Sequence, residues 1–133
     1  MIVYPVKGDF VKRDMDLIRE ILLQVEANQE MDGRTEFVYR SPEEMGISGH
    51  SFEELAYHAK LLIKGGYLEG NPSCGYTMPS ISSLTNAGHD FLGSITDPGI
   101  RRRTKAKFSG LPNVALRVIE VFAEAELRKH LGL

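Results

Sequence analysis

A single cysteine, Cys74, is all the thiol chemistry the chain holds. One thiol can make neither an internal disulfide nor a multi-cysteine zinc site, and this fits a reducing compartment. No apolar run reaches the roughly 20 residues of a membrane-spanning helix, and the first residues lack the charged-then-apolar layout of a secretory signal. A cytoplasmic protein with no membrane partner is expected. Charge of one sign is missing too. A net charge of −2 over 133 residues does not advertise nucleic-acid binding, so attraction for phosphates would have to come from a local patch. Catalytic signatures are equally scarce. The four histidines (His50, His58, His89, His130) show neither H-E-x-x-H nor another close ligand spacing. There is no nucleophile motif, Walker loop or dinucleotide fingerprint, and Cys74 has no neighbouring base in sequence to activate it. The expectation is a protein that is not an enzyme and takes no metal or cofactor.

What is present is an ordinary globular composition, 42% apolar and 26% charged, in a chain long enough for one domain with its own core. Its clearest stretch is SFEELAYHAKLLIKGGYLE, Ser51 to Glu69. Phe52, Leu55, Ala56, Ala59, Leu62 and Ile63 recur at helical spacing. Ser51 is an N-cap with Glu54 three residues on, a capping box, and Gly65-Gly66 ends the helix. Tyr67 and Leu68 then read as the start of a strand.

The flanking stretches follow in order. Residues 1–11 form an apolar N-terminal arm broken by Pro5 and Gly8. Lys12 to Ala27 is an amphipathic helix with Met15, Ile18, Ile21, Leu22 and Val25 on one face and Asp14 and Asp16 near its positive end. Asp32-Gly33 is a turn, Glu36 to Arg40 a short strand, and Ser41-Pro42-Glu43-Glu44 opens a brief helix. Tyr67–Glu69 and Tyr76–Ser80 flank the turn-rich loop Gly70 to Gly75, with Pro79 at an edge. Thr85 caps a helix in which Leu84, Ala87, Phe91, Leu92 and Ile95 face inward, and Gly88 in its first turn implies a closely packed backbone. Asp97-Pro98-Gly99 breaks the chain before the basic linker IRRRTKAKF, and Asn113 to Leu131 forms a last helix. The apolar positions of that helix (Val114, Ala115, Val118, Ile119, Val121, Phe122, Ala125) are too broad for one stripe. They suit two buried faces, either in the chain's own core or against a second copy.

This order of elements points to an α+β, mostly helical fold: a winged helix-turn-helix over residues 12–96 with additional C-terminal helices over 97–133. EEMGIS and ELAYHAKLLIKGGYL resemble the paired helices of bacterial winged-helix regulators, and SLTNAGHDFL resembles the segment that follows their wing. KRDMDLIREILLQVE, GHSFEELAYHAKLLIKGGYLEG and LTNAGHDFL together resemble a bacterial and prophage family classed as a domain of unknown function. Its members open K-R-D-[LM]-D-L-I-R and carry G-[YH]-S-x-E-E-[IVL]-A-Y-H-x-K-L-L. The resemblance runs from about Lys12 to the C-terminus. It implies a winged helix in a phage or prophage setting and supplies no activity.

Two sets of residues carry the functional expectation. On the central helix Tyr57, His58 and Lys60, with Lys64, stand where a recognition helix reaches base edges. Glu53 and Glu54 leave that helix without net charge; the plainer reading is a solvated or partner-covered face. Arg101, Arg102, Arg103, Lys105 and Lys107 are the only concentrated positive charge, suited to holding phosphates beside a wing that includes Asn71. Here the plainer reading is cations that balance acids such as Glu120, Glu124 and Glu126. The expected function is thus a DNA-binding regulator of double-stranded DNA that dimerises through its last helix. The alternative is a module that binds a host or phage protein through exposed Tyr57 and Leu61.

Overall fold

The computed structural model describes residues 13–39, 41–72, 79–111 and 114–133. The expected N-terminal arm, residues 1–11, and the loop residues Ser73, Cys74, Gly75, Tyr76, Thr77 and Met78 lie outside these. The chain folds as α1 (Met15–Ala27), a single 3-10 turn (Glu43–Met45), α2 (Phe52–Lys64), β1 (Leu68–Asn71), β2 (Ser80–Leu84), α3 (Asn86–Ile95), α4 (Pro98–Lys107) and α5 (Leu116–Leu131). The strands form a two-stranded antiparallel sheet in which Leu68 faces Leu84 and Asn71 faces Ser80, with a register irregularity at Glu69-Gly70. The fold is α+β and mostly helical, as the patterning implies.

Local signals place most of the ends. Asp14 caps α1, its carboxylate accepting the N–H groups of Asp16 and Leu17 at 2.9 and 3.2 Å. The capping box of α2 is complete: Ser51 Oγ accepts the Glu54 N–H at 3.1 Å, and Glu54 accepts the Ser51 N–H at 3.2 Å. Gly66, at φ +85°, takes the left-handed conformation that turns the chain out of the helix. Thr85 caps α3 through the Gly88 N–H at 3.0 Å.

Three expectations are corrected. Among the described residues of the stretch Glu36 to Arg40 only one bridge forms, Phe37 with Ile81, exchanging hydrogen bonds of 2.8 and 2.9 Å across the outer side of β2. The second strand runs on to Leu84, as Ser80–Leu84, where Tyr76–Ser80 is expected (Tyr76, Thr77 and Met78 lie outside the described residues). Ile81 is its buried apolar residue, and its serines hydrogen-bond across the ribbon. The basic linker is the helix α4: Asp97 accepts the Ile100 N–H at 3.0 Å and Pro98 sits at its first turn, so the Asp-Pro that reads as a break is a helix start. On α5, Val118, Val121 and Ala125 are exposed within this chain, so its own core covers only one of the two faces.

Leu17, Ile18, Ile21 and Leu22 of α1, Leu55, Ala59 and Leu62 of α2, Leu68 and Ile81 of the ribbon, and Phe91, Leu92 and Ile95 of α3 form the core. Ile100, Leu116, Ile119 and Ala123 join the same cluster, so α4 and α5 pack onto it. At the heart lies Tyr67, 2% exposed, its ring 5.2 Å from Phe91. Its hydroxyl donates to Glu120 of α5 at 2.6 Å, and Arg117 supplies that buried carboxylate with a countercharge. Burial first, and then the Glu120 carboxylate, push the phenol's pKa far up, so it stays a donor. The Tyr67 carbonyl accepts the Thr85 N–H at 3.2 Å, and a methyl group on Gly88 would overlap that same carbonyl oxygen. Gly88→Ala should therefore cost about 1–3 kcal/mol or more despite alanine's better helix propensity, read as a lowered urea midpoint.

Candidate nucleic-acid interface

α2 buries one side through Leu55, Ala59 and Leu62, and turns Glu53, Tyr57 and Lys64 outward, with Lys60 half-buried beside them. Tyr57 is 38% exposed and meets the edge of His58 at 5.3 Å. Neither Lys60 nor Lys64 enters an ion pair among the described residues. Glu54 is occupied by the cap and by His50, whose Nδ1 lies 3.0 Å from it; that contact holds the Glu54 carboxyl below its ordinary pKa.

His58, expected on this outer face, is corrected: it is fully buried. Its Nε2 accepts the Asp14 N–H at 2.7 Å, and its Nδ1 lies 2.7 Å from the Glu54 carbonyl. A backbone N–H can only donate, so Nε2 is the acceptor and Nδ1 carries the proton given to Glu54. The imidazole is a neutral clasp between the start of α1 and the first turns of α2, with no edge to offer a groove. A sequence signal for this existed. His58 stands three residues after Leu55 and four before Leu62, inside the apolar stripe.

Burial lowers the His58 pKa, while its bond to the Glu54 backbone and the carboxylates of Asp14 and Glu54 oppose the shift. The folded-state pKa thus lies below the unfolded value of about 6.5. As pH falls through about 6.5 the unfolded chain takes up this proton first, so stability present above that pH is lost below it. His58→Ala should cost about 2–4 kcal/mol through the cavity and the orphaned N–H. His58→Gln should flatten the loss of stability between neutral pH and pH 5 in urea titrations; an unchanged slope would refute the clasp.

The hairpin contributes Asn71, exposed at the end of β1, its N–H 3.2 Å from Ser80 Oγ. The rest of the expected wing, Pro72 apart, lies outside the described residues.

The five cations of α4 meet different fates. Lys105 Nζ lies 2.7 Å from Asp16 of α1, and Arg101 shares that carboxylate at 3.6 Å while donating to the Ile95 carbonyl at 3.3 Å. Arg103 pairs with Glu126 of α5 at 3.0 Å, and Lys107 sits 6.0 Å over the Phe122 ring. Arg102 is exposed and enters no ion pair among the described residues. Of the acids named as balancing partners, Glu126 serves; Glu120 is spent on Tyr67 and Arg117, and Glu124 points to solvent. Asp16, the strongest partner, was not legible because it lies 89 residues from Lys105. The start of α1 lies between the two sets: Asp14 touches His58, and Asp16 takes Arg101 and Lys105.

Elsewhere, a polar depression of about 270 Å³ is lined by Glu26, Asp32, Ser83 and His89, with His89 3.6 Å from Glu26. Among the described residues no group of three or more His, Cys, Asp or Glu side chains is arranged to hold a metal ion, and no helix is long and apolar enough to cross a membrane.

Residues 12–111 match the family described as "Hypothetical protein (DUF2513)". An "Uncharacterized protein" of Haemophilus influenzae is 34% identical over 87 residues, 64% of this chain and 68% of that relative. No solved structure matches the chain. The matched span takes in α1 to α4 and leaves α5 beyond it. On that match, the chain belongs to the DUF2513 family.

Proposed function

We propose that this chain is a non-enzymatic, cytoplasmic DNA-binding protein of winged-helix type, acting as a regulator in a phage or prophage setting. α2 would serve as the reading helix, the β1–β2 hairpin as the wing, and α4 as the element that grips the backbone. One observation carries the reading: α4 presents five cations to two acids, Asp16 and Glu126, so positive charge is left over on this helix. Phosphate attraction supplies most of the affinity of DNA binders, and a net charge of −2 makes such a local surplus the feature to account for. Tyr57, Lys60 and Lys64 would approach the groove, with Asn71 at the hairpin. His58 would support them from behind, by holding α2 against α1.

The uncommitted cations make the test. Arg102→Ala with Lys107→Ala should weaken binding to unrelated duplexes alike and reduce the salt slope by about 2, measured by fluorescence anisotropy across salt concentrations. Arg101→Ala should act on stability as well, because that side chain is tied to Asp16 and Ile95. Failure of the wild-type chain to bind any duplex at low salt would overturn the proposal. A second reading, a module for a host or phage protein, draws on the outward Tyr57 and the half-buried Leu61 of α2. Capture of a partner that survives nuclease and high salt, and is lost in Tyr57→Ala, would favour it instead.

A further inference from the structure

α5 is packed on one side only. Leu116, Ile119 and Ala123 enter the core, whereas Val118 and Val121 are 51% and 50% exposed and Ala125 is exposed. Together they form an apolar stripe along the open side of the helix. Their spacing, three residues and then four, is the a/d spacing of a two-stranded coiled coil. It drifts little across a helix of 16 residues. Arg117 and Glu124, seven residues apart, flank this stripe on the same side, and both are exposed. Glu124 enters no ion pair among the described residues. Arg117 reaches Glu120 with one end of its guanidinium while 74% of its side chain remains open.

We propose that α5 is a self-association helix, pairing antiparallel with α5 of a second copy about a two-fold axis. An antiparallel pair sets a positions opposite d positions. Val118 then lies opposite the other copy's Val121, and symmetry repeats the contact. The same register brings Arg117 of each copy to Glu124 of the other, so two opposite-charge pairs close one flank of the seam. A parallel pair would put Arg117 and Glu124 on opposite sides of the seam and lose both. Two-fold self-complementarity of this kind is what an isologous interface requires.

The occupant is therefore a second copy, favoured over an unrelated partner because one helix supplies both halves of the match. A seam this short stands at the low end of interface sizes, so the dimer exchanges and depends on concentration. The inference does not rest on the DNA reading, and its test needs no nucleic acid.

Sedimentation of the full chain over a hundredfold concentration range should show monomer giving way to dimer. Val118→Glu and Val121→Glu should each stay monomeric with unchanged circular dichroism, since neither side chain is in the core. Glu124→Lys should weaken association several-fold. For orientation, Val118→Cys and Val121→Cys proteins, each also carrying Cys74→Ser, are mixed and oxidised. A mixed 118–121 disulfide is expected to exceed either symmetric one. A wild-type chain monomeric throughout the range would overturn the proposal, as would dominance of the 118–118 and 121–121 disulfides. This crosslinking readout stands even if a glutamate variant fails to fold.

Discussion

The junction at Tyr67 is the constraint on which the molecule hangs. α2 ends, β1 begins, α3 starts and α5 crosses within reach of this one residue. Its carbonyl receives the Thr85 N–H, its ring packs on Phe91, and its hydroxyl ends on Glu120. A second tie runs from Thr85 Oγ1 to the Gly66 carbonyl at 2.5 Å. These contacts make the turn after α2 and the cap of α3 one unit, so the helix and the ribbon that follows it cannot be positioned independently. The arrangement also binds the C-terminal helix to the middle of the chain. Glu120 is a buried acid, tolerable because a phenol and a guanidinium reach it; loss of Arg117 would remove its countercharge, and loss of the Tyr67 hydroxyl a hydrogen bond.

Around the start of α1 the physics is electrostatic. Arg13 donates to the Val114 carbonyl, Asp14 both caps its own helix and gives its N–H to His58, and Asp16 gathers Arg101 and Lys105. α1, α2, α4 and the segment leading into α5 are thereby referred to one turn of backbone. The exposed ion pairs contribute little each, of order 0–1 kcal/mol. Their effect on charge is larger than their effect on stability, since they decide which cations of α4 remain available to an outside partner. Arg102 and Lys107 remain so; Arg101 largely does not.

Much of the fold was legible because its signals are local. The caps at Asp14, Ser51 and Thr85, the double-glycine stop and the apolar spacing of α1, α2 and α3 depend on neighbours within one turn. Gly88 belongs with them, its expected close backbone being the Tyr67 carbonyl. The run of the second strand on to Leu84 was missed because Ser-Ile-Ser-Ser has little strand propensity, and pairing to β1 and to Phe37 makes it a strand. α4 was read as a linker from its composition although Asp97-Pro98 is a helix-starting pair. The site was less legible. His58 was misassigned by chemistry against its own periodicity, and the Asp16 pairs join opposite ends of the chain, which no local pattern records.

The irregularity at Glu69-Gly70 also bears on solubility. Phe37 occupies the outer side of β2, so among the described residues the remaining open backbone edge belongs to β1. That edge is four residues long, interrupted at Gly70 and marked by the outward Glu69. A short, bent, acidic edge is a poor template for a foreign strand. The ribbon can therefore lie at the surface without serving as a template for strand addition.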